Sequence, residues 1–311
     1  MSIEIARASR PVKDVEAAEW KFPARLTIGV LAVLLAALVL YVRTNSSAPP
    51  PLIASDGGAG PPLQNGTVEI TYIANEGVLI SSGDKRVLID GLHREYEREY
   101  PFLPEPHREK IETAQPPFDG VDVILVSHRH LDHFHPQSVG LHLTHSPQVR
   151  LVSSEQVVGE IQKQFAAYGA IASRVTTVTP SLGQRVPTTV AGIELEMLGV
   201  GHGTGRHGAV QNLGHIIRLG GKKLLHLGDA DSGQGIIEQL RLDEESIDVA
   251  FLPIWFLTGT EGPALVREHI RPRHIIAVHM PVAGSERAAE QIRQAFPGAV
   301  AFTTLLDRKV Y

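Results

Sequence analysis

The sequence predicts an α/β layered sandwich, and three observations carry that prediction. Residues 67–90 read as an antiparallel strand series: "TVEITYI" alternates, "NEG" turns, "VLI" follows, "SSGDK" turns again and "RVLID" ends at Asp90. "VDVILVS" is an unbroken apolar run of the kind found in a strand buried on both faces. The second half then returns to the same mixture of meander, short buried strand and helix. Strands alternating with helices in two similar halves place sheets inside and helices outside.

Taken in chain order, the first element is a candidate membrane span. From Leu26 to Val42 no charged residue occurs, and a helix of that length covers roughly 25 Å, close to the thickness of a hydrocarbon core. Arg25 and Arg43 bracket it, and Tyr41 suits the headgroup level. Arg7, Arg10, Lys13, Lys21 and Arg25 precede the span, whereas after Arg43 the next basic residue is Lys85. The positive-inside rule therefore keeps residues 1–25 in the cytoplasm and puts the remainder outside, with residues 26–43 as a single-pass anchor. The rival is a cleaved signal peptide ending at "SSA", for which a charged lead of this length is long. Residues 44–62, rich in Pro, Gly, Ser and Ala, cannot bury enough apolar area to offset the entropy of ordering and read as a linker. Residues 63–311 form the folded domain.

Within that domain the strand pattern stops after Asp90. Residues 91–120 are charged, aromatic and proline-rich without clear periodicity, which fits either a functional lid or a plain surface excursion. "LVSSEQVVGEIQKQFAAYG" gives a strand and then a helix, with Ser153 and Gln156 at capping-box spacing. Further on, "GIELEMLGV" alternates, "LGHIIRLGGKKLLHLGD" is a hairpin through Gly220 and Gly221, and "DVAFLP" and "HIIAVHM" are short buried strands.

Composition narrows the chemistry. The 311 residues are 43% hydrophobic and 20% charged, as expected of a globular protein with a real core. A net charge of -5 and a pI near 6.3 leave no basic footprint for nucleic acid, so none is expected as a partner. Cysteine is absent, which removes disulfides, thiol nucleophiles and thiolate ligands together. Any metal site must use His, Asp or Glu.

Such residues are concentrated in "SHRHLDHFH", residues 127–135, immediately after the buried apolar strand. As an extended chain leaves a sheet, residues two apart point the same way, so His128 and His130 can face one ion. Once the chain turns, Asp132 and His133 can face a second, and two zinc-like ions about 3.5 to 4 Å apart make a hydrolytic clamp. The local motif cannot fill both coordination spheres. Polar residues at the ends of other buried strands are the best sources for the rest: His202 after "IELEMLGV", Asp229 closing "KLLHLGD", and His279 closing "HIIAVHM".

In order and context, His128, His130, Asp132, His133, His202, Asp229 and His279 resemble the seven metal ligands of the metallo-β-lactamase superfamily. The likeness covers about residues 66–305. It is similar in flavour to the branch with ascorbate-phosphate lactonase-like hydrolases and the phospholipase D acting on N-acylphosphatidylethanolamine. The resemblance implies a four-layer αββα sandwich with a site at the edge between two sheets. It also implies that His128, His130 and His202 hold one metal, that Asp132, His133 and His279 hold the other, and that Asp229 bridges them. The glycine-rich flanks of His202 leave His207 and His215 as substitutes for it. The absence of cysteine sets the chain apart from lactamases that use a thiolate ligand.

Two divalent cations, Zn2+ first and Mn2+ or Fe as alternatives, would acidify a bridging water for attack on an ester, lactone, amide or phosphodiester. Asp132 is the candidate catalytic residue, orienting the water or moving its proton to the leaving group. His93, Arg129 and Trp255 are candidate contacts for a small-molecule or lipid-like substrate. His215 and His226 fall in the hairpin as structural or ligand-supporting histidines. His135, His142 and His145 are expected to face solvent. The competing function is a metal-bearing scaffold of the same fold without turnover; flavodiiron-type oxidoreduction would need a flavin module, and none is appended.

Overall fold

The computed structural model describes residues 66–97, 99–233 and 235–311. The expected cytoplasmic segment, membrane span and linker lie outside the described residues. Among the described residues no helix is long and apolar enough to cross a membrane.

The described residues form two seven-stranded mixed sheets. In the first, β1 (Glu69–Ala74), β2 (Gly77–Ser82) and β3 (Lys85–Ile89) form the antiparallel series. They continue into the parallel strands β4 (Val123–Val126), β5 (Arg150–Ser153) and β6 (Val175–Thr177). The second sheet repeats this plan. An antiparallel run of β7 (Arg185–Val190), β8 (Ile193–Val200), β9 (Asn212–Leu219) and β10 (Lys222–His226) passes into parallel β11 (Val249–Pro253), β12 (His274–Val278) and β13 (Val300–Ala301). The last strand, β14 (Arg308–Val310), returns to pair with β1 on the first sheet.

Alternation along the strands explains the layering. In the second sheet Leu195, Met197, Leu213, Ile217, Val249, Phe251, Ile276 and Val278 join the core shared with the first sheet. Their neighbours Leu198, Ile216, Ala250, Leu252, Ile275 and Ala277 face the opposite way, into a second core with Ala288, Ala289 and Ile292 of helix Ser285–Ala295. Helices Pro136–His145 and Glu155–Gln164 contribute Val139, Leu143, Val157 and Ile161 to the core of the first sheet. Each such apolar side chain stabilises the fold by about 1.5 to 3 kcal/mol relative to exposure. With both sheets covered on both faces, parallel β4 needs no polar face and reads as the continuous run "VILV".

Local chemistry fixes the turns. Gly220 and Gly221 have φ of +57° and +71°, as a two-residue hairpin between β9 and β10 requires. A Cβ on Gly220 would sit 2.2 Å from Ser82 Oγ, so the hairpin tip also packs directly on the first sheet's rim. One cap is displaced from the sequence reading: Ser154, not Ser153, precedes helix Glu155–Gln164 and accepts from the Val157 amide. Ser153 is instead the last residue of β5, its hydroxyl donating to the Val126 carbonyl at 2.6 Å.

Residues 91–120 are neither a free lid nor a surface excursion alone. β3 and β4 are parallel, so the chain has to cross back between them. It does so with Leu92, Leu103, Ile111 and Phe118 buried in the main core. Residues 95–97 and 99 are exposed at its tip, and shorter exposed pairs follow at 105–106, 115–116 and 119–120.

This crossover also corrects the expectation for His142. The residue is fully buried, and its Nδ1 donates to the Ile111 carbonyl at 2.5 Å. Burial pushes its pKa down to about 4. A folded-state value below the unfolded one means that the neutral ring's contribution is present above pH 6.5 and lost as pH falls to about 4. Across that window the protein is expected to lose up to about 3 kcal/mol more stability than a His142→Gln variant, measured by urea unfolding at pH 7.5 and pH 4. Equal losses in the two proteins would refute a neutral buried role. His145 is exposed as expected, and His135 is half-buried.

Candidate metal centre

The strand plan brings polar side chains to one edge. Residues 127–135 leave the end of β4, His202 follows β8, Asp229 follows β10 and His279 follows β12. Loops at the carboxyl ends of parallel strands are the usual place for a ligand crevice in α/β sheets. Gly228 makes the approach of the Asp229 loop possible: its φ is +52°, and a Cβ there would lie 2.5 Å from Asn212 Oδ1 and 2.7 Å from Ser127 Cβ. His279 holds a left-handed φ of 54°, and its amide donates to the Asn75 carbonyl.

The side chains converge in two groups. His128 Nε2, His130 Nδ1 and His202 Nε2 lie 3.0 to 3.1 Å from one another. Asp229 Oδ2 is 3.3 Å from His202 Nε2 and 3.7 Å from His128 Nε2. In the second group, His133 Nε2 and His279 Nε2 are each 3.5 Å from Asp132 Oδ2, and 3.3 and 3.4 Å from Asp229 Oδ1. One carboxylate therefore turns an oxygen to each group. His207 stays outside: its ring stacks behind that of His202, centroids 5.2 Å apart. His215 is buried in β9, away from both groups.

Do these atoms suit cations? Ligands on a tetrahedron at 2.0 to 2.1 Å from a central ion are roughly 3.3 Å apart, near the spacing of the three imidazole nitrogens. Three such nitrogens facing one another also cannot all be satisfied by protons, because a neutral imidazole nitrogen either donates or accepts. Among the described residues, His133 Nε2 and Asp229 Oδ1 are buried atoms that make no hydrogen bond. An orphaned polar atom costs about 1 to 3 kcal/mol, which ligation would remove. The donor set fits ligation of divalent metal by nitrogen and oxygen.

The electrostatics agree. Burial opposes charge on His133, but the carboxylates of Asp229 and Asp132 outweigh it and hold its pKa well above the ordinary imidazole value. His279 responds in the same way and rises to about 10, burial again opposing and Asp229 raising. His128, by contrast, is pushed well below by burial and by the charge of His133. Asp132 is lowered, because His133 overcomes the cost of burying the carboxylate. The second group thus has a strong negative field that attracts positive charge.

Several residues behind the ligands carry no sequence motif. Asp90 accepts from the Ser127 amide, the Ser127 hydroxyl and His133 Nδ1 at 2.8, 2.5 and 2.9 Å, which orients the His133 ring. Asn75 Nδ2 donates to the Asp132 carbonyl at 3.1 Å and to Asp132 Oδ2 at 3.3 Å. Glu76 lies fully buried, 4.0 Å from His133 Nδ1, and burial pushes its pKa well above the carboxylate range. His226 donates from Nε2 to the Glu76 carbonyl at 3.1 Å and accepts from the Gly228 amide, so it braces the turn that presents Asp229. Asp90 and Asn75 were detectable only as polar residues at strand ends with left-handed φ of 44° and 51°.

The three candidate substrate contacts have different fates. Trp255 packs edge-on against His279 at 5.1 Å, and its Nε1 donates to the Ala230 carbonyl at 2.8 Å. Arg129 is exposed on the motif itself. His93, within the crossover, is only 3% exposed, and burial lowers its pKa.

A two-sheet sandwich with clustered histidines and carboxylates at its strand ends defines the class of metal-binding α/β sandwich proteins. The chain belongs to the beta-lactamase superfamily, whose domain model matches residues 85–303. A UPF0173 metal-dependent hydrolase from Pyrococcus furiosus is 28% identical over 220 residues, covering 68% of this chain and 84% of the relative. One from Thermus thermophilus is 28% identical over 219 residues, covering 68% and 83%. Among solved structures, the metallo-beta-lactamase fold protein YhfI from Bacillus subtilis matches with a TM-score of 0.55 at 15% identity, over 79% of this chain and 99% of that one. The metallo hydrolase Igni18 from Ignicoccus hospitalis gives 0.52 at 17% identity, over 79% and 98%. These structural likenesses concern the fold.

Proposed function

We propose that the protein is a dinuclear metal-dependent hydrolase that cleaves an ester, lactone or phosphodiester and is tethered to a membrane by the uncharged stretch Leu26–Val42. The observation that carries this reading is the placement of Asp229, one oxygen turned to the His128, His130 and His202 nitrogens and the other to His133 and His279. On this reading His128, His130 and His202 hold one cation, Asp132, His133 and His279 the other, and Asp229 spans both. Zinc suits this all-nitrogen and oxygen set, and Mn2+ or Fe could replace it.

Bound divalent cations would supply Lewis acidity and bring the pKa of water toward neutrality. The chain's own residues do the rest. Asp132 keeps one oxygen toward His133 and His279, held there by Asn75, and its other oxygen is the atom suited to take the proton of the attacking water and pass it to the leaving group. Asp90 fixes the tautomer of His133 by accepting from Nδ1, which directs Nε2 into the centre. Trp255 and Tyr100 pack against His279 and limit water on that side.

The test pairs metal content with turnover. Purified protein from residue 63 onward is expected to bind two equivalents of zinc and to hydrolyse members of a panel of p-nitrophenyl esters, lactones and bis-p-nitrophenyl phosphate. Asp132→Ala should lower kcat/KM by at least about a hundredfold, the range that a positioned general base contributes. Full metal loading with no turnover of any compound would instead identify a binding protein. The tether rests on the uncharged stretch Leu26–Val42 and the basic residues that precede it. Cell fractionation with protease accessibility is expected to show a membrane-bound chain whose hydrolase domain faces away from the cytoplasm.

A further inference from the structure

The candidate ligands gather at the carboxyl ends of the strands, and the opposite ends of the second sheet enclose a cavity that hydrolysis does not use. Its volume is about 630 Å³. Lys222 and Lys223 open β10, Asp248 precedes β11, Arg273 precedes β12 and Arg218 lies near the end of β9, and all five line it. β10 and the turn after it separate Lys222 from Asp229, which at about 3.3 Å per residue puts the cavity and the metal centre roughly 20 Å apart.

The two sheltered carboxylates of the cavity are already engaged. Glu245 accepts from Arg185 Nη2 through Oε1 at 2.5 Å and from Lys223 Nζ through Oε2 at 2.7 Å. Asp248 accepts from the Lys223 amide and from Arg273 Nη1, each at 2.9 Å. Glu194, the remaining acid on the wall, stands 3.8 Å from Arg218 Nε, beyond hydrogen-bond range, with its side chain 70% exposed to water. Cationic donors are left over. Lys222 Nζ has no partner among the described residues, and Arg273 spends one guanidinium nitrogen on Asp248 while its side chain stays 68% exposed. β11 runs between β10 and β12, so Lys222 and Arg273 stand two strand spacings apart, about 10 Å. An ammonium and the free edge of a guanidinium therefore border one polar cavity from two walls.

We propose that this cavity binds a small dianion whose two oxyanion heads are joined by a short chain, one head at Lys222 and the other at Arg273, a dicarboxylate being the simplest case. The arginine fork takes two oxygens of one head, and the lysine offers a point charge to the second. Leu219 is the only large apolar side chain on the wall, which suits a ligand without a bulky apolar group. The cavity is separate from the metal centre, so its occupancy is measurable whether or not the protein turns over a substrate.

The experiment is calorimetric titration of the full-length, zinc-loaded chain in neutral detergent with malonate, glutarate and pimelate, acetate serving as the single-headed control. The best diacid is expected to bind at one site about tenfold or more tighter than acetate, the scale of one charge-assisted hydrogen bond. Lys222→Ala and Arg273→Ala should each raise its dissociation constant about tenfold, and Lys222→Arg, which keeps the charge, by less than about threefold. Arg273 is exposed and Lys222 half-buried, so folding should survive. Lys222→Gln and Arg273→Gln replace any alanine variant that melts well below the unaltered chain. Bound zinc is measured beside each titration and is expected to stay the same, which separates the cavity from diacid held at the cations. Propane-1,3-diphosphonate in a parallel arm distinguishes phosphoryl from carboxylate heads, and dependence on Lys222 and Arg273 in either arm supports the site. Diacids and diphosphonate that bind no tighter than acetate, or equally well to the variants, would overturn the assignment.

Discussion

Asp229→Ala is expected to reduce bound metal from two equivalents to one or none and to lower kcat/KM by roughly a thousandfold or more, beyond the hundredfold scale set for losing a general base. Among the described residues no other carboxylate faces both groups: its oxygens lie 3.3 to 3.7 Å from the ring nitrogens of His128, His133, His202 and His279. Truncation leaves four buried or half-buried imidazoles without the carboxylate they share. Breaking a buried charge pair on one side costs about 3 to 5 kcal/mol, so the variant should also unfold earlier in urea. Asp229→Asn tests the charge apart from the shape. Its amide keeps an oxygen on one side and turns a donor on the other, so one equivalent of metal should survive. Retention of two equivalents by the alanine variant would remove the bridging role.

The second large effect is thermal. Chelation of the two cations is expected to lower the melting temperature by about 8 to 16 °C, with recovery when zinc is added back. An ion present at a thousand times its dissociation constant stabilises the folded state by about 4 kcal/mol, and in a domain of this size each kcal/mol is worth about 2 to 4 °C. The structural reason is the set of orphaned atoms, His133 Nε2 and Asp229 Oδ1 among them, which only the folded chain brings together. Differential scanning calorimetry with and without chelator measures the shift. A melting curve indifferent to both treatments would mean that the cluster does not ligate metal.

How much of this was readable before any coordinates depends on which interaction places each residue. The candidate ligand residues stand at the ends of strands whose periodicity is local, so "VDVILVS" announces that whatever follows it emerges at an edge. The hairpin through Gly220 and Gly221 was legible for the same reason. What stayed hidden depends on pairing between distant segments. Asp90 meets Ser127 only because β3 and β4 run parallel with Ile89 opposite Leu125. His142 has its partner in Ile111, across a crossover whose sequence shows no period. Glu76 is buried in a turn that reads as an ordinary surface reversal. The choice between His202 and His207 could not be made from spacing, since both sit among glycines whose dihedral angles decide which ring reaches inward.

The two sheets follow one plan, and the cluster draws on both: residues 128–133 come from the first, and His202, Asp229 and His279 from loops of the second. On the proposed ligand set neither half would complete a coordination sphere alone, so bound ions would act as a clasp across the interface between the sheets. The affinity of the clasp and the free energy of docking one half on the other are then linked quantities. Any substitution that loosens the intersheet packing, however remote from the histidines, should be felt as weaker cation retention before it is felt as unfolding.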